Sequence, residues 1–66
     1  MKLNSEQIEL LQAQTGMKSG SLARAAGISR NTLWTCKRTG SCNPVTAGKI
    51  ANALGVPVSQ IVRKEA

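Results

Sequence analysis

The sequence predicts an all-α fold, a compact domain of five short helices around a thin aliphatic core. Three observations point there. Sixty-six residues make one domain, 1–66, and a chain of that size buries only about 60% of its unfolded surface. The apolar 41% comes mainly from Ala, Leu, Ile and Val, with one Trp and no Phe or Tyr, which suits small packed helices better than a sheet. Gly16, Gly27, Gly40 and Gly55 then divide the chain into helix-sized pieces, with no repeat, low-complexity tract or linker between them.

The first helix is expected over about 5–15. Asn4 followed by Gln7 makes a capping box, Ile8, Leu11 and Thr15 share a face, and Gly16 is a stop. Ser19 to Ala26 reads as a second helix, since Leu22, Ala23 and Ala26 form an apolar stripe, although Gly20 and Ser21 are weak helix formers. Gly27 can take the left-handed conformation that ends it, Ile28 can plug the core, and Ser29 can cap the next helix. From Arg30 to Arg38, Leu33 and Cys36 fall on one side while Arg30, Asn31, Trp34, Thr35 and Arg38 fall on the other. A loop with Gly40, Ser41, Asn43 and Pro44 follows. Thr46 is then expected to cap a helix that turns Ala47, Ile50, Ala51 and Leu54 inward and closes at Gly55, and a last short helix is expected from near Pro57.

Charge supplies the first functional signal. The acids Glu6, Glu9 and Glu65 lie near the two ends, whereas residues 10–64 hold none and carry Lys18, Arg24, Arg30, Lys37, Arg38, Lys49, Arg63 and Lys64. A net charge of +6 in so small a domain is the footprint of a polyanion binder, against the plainer reading of a protein that is merely basic. An enzyme is disfavoured, because there is no His, no Asp and no Gly-rich phosphate loop. No apolar run approaches the roughly 18 residues of a membrane span and no basic segment leads into a signal region, so a cytoplasmic protein is expected. With Cys36 and Cys42 as the only thiols, a zinc site lacks ligands and free thiols in a reducing compartment are expected. No cofactor or small-molecule ligand is expected either.

A helix, a short turn containing Gly27, and a second helix with a polar outer face, over about 19–38, form the helix-turn-helix arrangement, in which the first helix crosses the DNA backbone and the second enters the major groove. The runs SLARAAGISRNTLWTCKRTG and KIANALGVPVSQI resemble the Cro and phage-repressor family, also called the xenobiotic-response-element family, over about residues 8–62. That resemblance implies a five-helix, lambda-repressor-like DNA-binding domain. Two departures stand out. The family usually pairs an acid late in the recognition helix with an arginine in helix one, and the matching positions here are Lys37 and Gln12. Its usual glycine after the recognition helix is shifted, with Thr39 in the expected place and Gly40 next.

By position, the resemblance implies base reading by Arg30, Asn31 and Thr35. Their chemistry agrees: Arg pairs with guanine O6 and N7, Asn with adenine N6 and N7, and the Thr methyl touches thymine. Trp34 joins them as a candidate for DNA or partner contact, the competing reading being that it folds back onto helix two or four. Lys18 and Ser19, at the start of helix two, match phosphate positions. Ser29, Arg38, Ser41 and Asn43 are further phosphate candidates around the recognition helix. Val56, Pro57 and Val58 are candidates for a two-fold interface, with Ile61 the better core residue. The reading that results is a non-enzymatic transcription regulator, a Cro-like repressor of phage or of the bacterial nucleoid, that binds a palindromic double-stranded operator as a homodimer. No ligand-sensing or self-cleaving domain is expected, so control is expected from protein level or a partner. The alternatives are an antitoxin-type DNA-binding regulator and an anti-repressor that uses the same fold to mask another protein.

Overall fold

The computed structural model describes residues 1–63; Lys64 and Glu65, which entered the charge argument, lie outside the described residues. Four α-helices follow in order: α1 (Ser5–Thr15), α2 (Ser19–Ala26), α3 (Arg30–Thr39) and α4 (Pro44–Leu54). Each boundary has a local cause. Asn4 Oδ1 accepts from the Gln7 N–H at 3.2 Å, which makes Asn4 the cap of α1. Ser29 Oγ likewise accepts from the Thr32 N–H at 3.0 Å and caps α3. At the other end of α2, Gly27 adopts φ 72°, and the N–H groups of Gly27 and Ile28 return to the carbonyls of Arg24 and Ala23. A side chain at that angle would be strained, so the glycine sets the turn between α2 and α3.

Ile8, Leu22, Leu33, Ile50 and Ile61 are the largest fully buried side chains, drawn from every helix and from the C-terminal segment. The most extensive helix pairing is α2 on α4, followed by α2 on α3. The buried residues of α2 are Leu22, Ala23 and Ala26, and those of α4 include Ala47 and Ala51. Small side chains on both partners let the axes approach closely.

The structure corrects four expectations. The fifth helix is a single 3-10 turn, Val58–Gln60, set up by Pro57 in extended conformation before it. Helix α4 begins at Pro44, ahead of the expected Thr46, because Asn43 Oδ1 accepts from the Val45 N–H at 2.8 Å and Pro44 occupies the first turn. Helix α3 runs one residue past Arg38, since Gly40 rather than position 39 takes the left-handed φ of 68°. Thr15 is exposed and not part of the buried face, its hydroxyl donating back to the carbonyl of Leu11 at 2.8 Å.

Residues 1–4 form a strap with no counterpart in the expected architecture. Leu3 N–H donates to the Gly40 carbonyl and Cys42 N–H to that of Met1. Asn4 N–H donates to the Ile61 carbonyl and Arg63 N–H to that of Lys2. The extended segment thus pairs on one side with the α3–α4 turn and on the other with the C-terminal segment, with Lys2 opposite Ser41 and Leu3 opposite Val62. Leu3 is 2% exposed and belongs to the core.

Cys36 and Cys42 are both buried and free, as expected. Burial, with the hydrogen bond to Cys36 second, pushes the Cys42 thiol up to about 12 from 9.0. The folded thiol stays protonated where the unfolded one ionises. Its contribution to stability is therefore full below about pH 9 and declines as the pH rises from there toward 12.

Two outcomes follow. Leu3→Ala should lower stability by about 2–4 kcal/mol in urea unfolding followed by far-ultraviolet circular dichroism, while Leu10→Ala, at a position 51% exposed, should change it by less than about 0.5 kcal/mol. At pH 8 a disulfide reagent should modify the native thiols more than about 100-fold more slowly than those of the urea-unfolded chain; equal rates would contradict the burial of Cys36 and Cys42.

Candidate nucleic-acid interface

Helix α3 is held from behind and bare in front. Leu33 and Cys36 are its buried residues, and Arg30, Asn31, Trp34, Thr35 and Arg38 are all exposed. The helix contains no acid, and its last turn carries Lys37 and Arg38, where cations complement the negative end of the helix dipole. Because only three residues, Gly27, Ile28 and Ser29, join α2 to α3, the start of α3 is placed close to α2.

Ser19, Arg30, Asn31, Trp34 and Arg38 line one open cleft, together with Glu9, Leu33 and Lys37. The Arg30 side chain crosses to α2, where its Nε and Cδ lie beside Gly20, and it also borders a second cleft with Lys18 and Arg24. Trp34 is 56% exposed, which removes the alternative that its ring folds back into the core against α2 or α4. The Arg38 guanidinium, one turn later, sits 4.9 Å from the ring centroid and covers a face of the indole by a cation–π contact.

The remaining candidates are spread around this cleft. Lys18 is the residue before α2, exposed and with no capping bond from its side chain, so its ammonium is not engaged with the helix it precedes. Ser29 has its hydroxyl engaged with both the backbone and the hydroxyl of Thr32, so its local role is capping. Ser41 is exposed, with its N–H on Thr39 Oγ1 at 3.3 Å, and Asn43 caps α4; neither lines the cleft. In the C-terminal segment, Pro57 is exposed while Val56 and Val58 are half-buried against the core, and Ile61 is fully buried.

A family model for the Cro/C1-type HTH DNA-binding domain matches residues 8–66. The chain belongs to that family. No curated protein sequence matches it. As a Cro/C1-type domain it is a helix-turn-helix DNA-binding protein, with α2 and α3 as the two helices of the motif. Among the described residues, no helix is long and apolar enough to cross a membrane.

Gln12 and Lys37, which are not among the base- or phosphate-contact candidates, link α1 to α3 in this Cro/C1-type domain. Gln12 is the one buried polar side chain among the described residues. Its Oε1 accepts from Lys37 Nζ at 2.9 Å, and its Nε2 donates to the Met17 carbonyl at 3.3 Å. Lys37 is also 3.7 Å from the carboxylate of Glu9, and the Ser5 hydroxyl donates to the Lys37 carbonyl at 2.8 Å. The positions that depart from the usual acid–arginine pair are thus partners of each other. A neutral amide supplies the acceptor and a lysine the donor, so the link survives with one positive charge in place of a neutral pair. The signal for this contact was present as the paired departure at Gln12 and Lys37, but residue type alone does not say that the two side chains meet.

Gln12→Ala, which leaves the half-buried Lys37 ammonium and the Met17 carbonyl without their partner, should destabilise the fold by about 1–3 kcal/mol. Glu9→Ala removes only an exposed partner and should change stability by less than about 1 kcal/mol. Equal effects of the two in urea titrations would show that the amide is not the acceptor that matters.

Proposed function

We propose that the chain is a sequence-specific regulator of transcription, a Cro-like repressor that inserts α3 into the major groove of a double-stranded operator and denies the site to polymerase. The observation that carries this reading is the outward face of α3: four side chains with base-reading chemistry, Arg30, Asn31, Trp34 and Thr35, exposed together on a helix without acids. Ten residues at 1.5 Å per residue give a helix of about 15 Å, short enough to lie within one stretch of groove.

In this reading Asn31 bonds adenine and Arg30 guanine, Thr35 touches a thymine methyl, and Trp34 presents apolar edge to the groove wall. Lys18, Ser19 and Arg38 hold phosphates on either side, aided by the N-terminal backbone N–H groups of α2, and Ser29, Ser41 and Asn43 lie at the flanking backbone. Exposed Pro57 and half-buried Val56 and Val58 serve as the seam of a homodimer, which would read a palindrome with half-sites about 34 Å apart. The basic, polar α3 face favours nucleic acid over the masking of another protein, for which an acidic or apolar face is expected.

Selection from random duplex DNA should enrich a palindromic motif. The affinity for that motif should fall with salt along a log–log slope of several units. Asn31→Ala should flatten the preference at one position of each half-site, by roughly 10-fold or more. Lys18→Ala should weaken enriched and random DNA alike and reduce the slope by about one. A chain that binds no duplex at low salt, or a pair of variants with indistinguishable effects on enriched and random DNA, would defeat this assignment of the α3 face.

A further inference from the structure

Gly20 is a glycine without a backbone reason. Unlike the four turn glycines it has no positive φ, and it sits in the first turn of an eight-residue helix, where glycine is a poorer helix former than almost any alternative. What distinguishes it is its neighbour. A Cβ built at Gly20 would lie 3.5 Å from Arg30 Nε, 3.7 Å from Cδ and 3.8 Å from Cζ. The bare Cα is therefore a shelf along which the Arg30 side chain runs between α3, its own helix, and α2. Gly48, the other glycine inside a helix, has nothing within 4 Å of such a Cβ, so proximity to Arg30 is particular to position 20.

An exposed arginine ordinarily samples many rotamers, and its value as a bidentate reader depends on how far its planar fork is preorganised. Contact with α2 restricts Arg30 to a path between the two clefts that it borders, one lined by Ser19, Asn31 and Trp34 and the other by Lys18 and Arg24. We infer that Gly20 is a positioning residue for base reading: its missing side chain lets Arg30 lie across the first turn of α2, and the size of residue 20 sets how strongly Arg30 discriminates between bases. A methyl group at 3.5 Å is ordinary van der Waals contact and leaves that path open. A branched side chain occupies the shelf and drives the guanidinium off it. This inference rests on the proposed placement of α3 in the major groove and adds a determinant that touches no base itself.

The test uses the full chain and the duplex enriched by selection. Arg30→Ala first identifies the half-site position at which Arg30 acts, as the one where preference among the four base pairs collapses. Gly20→Leu should reduce the preference at that same position about 10-fold while leaving the preference lost in Asn31→Ala intact. In the double variant with Arg30→Ala, Gly20→Leu should have no further effect on that preference, the non-additivity expected of residues that act through one contact. Gly20→Ala should retain the full preference, and Gly48→Ala should leave every position unchanged. Far-ultraviolet circular dichroism confirms that each variant is folded, and Gly20→Ile, with another branched apolar side chain, provides a second displacing substitution if Gly20→Leu does not fold. An unchanged preference in the folded displacing variant, a uniform loss on enriched and random DNA, or additivity with Arg30→Ala would each overturn the role of Gly20 while leaving base reading by α3 in place. A parent chain with no sequence preference would overturn both.

Discussion

The approach of α2 to α4 is the constraint from which the rest of the domain follows. Both helices bury alanines, Ala23 and Ala26 on one and Ala47 and Ala51 on the other, together with Leu22 and Ile50. With no aromatic ring in the core, there is no large side chain to fill a gap if the helices separate, and packing must come from proximity. Once α2 is seated, the Gly27 turn and the Ser29 cap leave α3 little freedom, and Leu33 and Cys36 pin its inner side. The orientation of α3 thus depends on how α2 is seated against α4.

A second layer of control acts at the junction of α1 and α3. Replacing an ion pair by an amide and an ammonium changes the energetic problem. A buried carboxylate with its arginine needs mutual neutralisation to offset desolvation, whereas the partly buried Lys37 has the Gln12 amide as acceptor and an exposed carboxylate nearby. Lys37, shared between that amide and the Glu9 carboxylate, lines the same cleft as Arg30 and Arg38.

Much of this was legible in the sequence where the determinants are local. Caps and stops at Asn4, Gly16, Gly27, Ser29 and Gly55 act within a few residues of themselves, and the inward stripe of α3 is written in the spacing of Leu33 and Cys36. The strap was not legible. Four residues are too few to display a period, and their partners lie near positions 40 and 61, so only the folded chain brings those backbone groups together. Asn43 and Thr46 are both competent caps by type, and the choice fell to the one followed by proline, which accepts the first turn of a helix and resists a later place in it. The last segment has apolar residues at helical spacing, yet Ile61 is already buried just after a single 3-10 turn, and Val62 and Arg63 pair with the strap. At the candidate site, residue types say what Arg30, Asn31 and Thr35 could bond, and the folded chain leaves all three exposed. The dependence of Arg30 on an empty space beside it is a matter of geometry that no residue type carries.

The exposure of Trp34 has a practical consequence for anyone who studies this domain with light. It is the only aromatic residue in the chain, so essentially all near-ultraviolet absorbance and all intrinsic emission arise from the outer face of α3, beneath the Arg38 guanidinium. The core, built from aliphatic side chains, has no chromophore of its own. Emission from this protein is an optical report on its candidate DNA-binding face, and the packing that holds the fold together must be followed through the backbone.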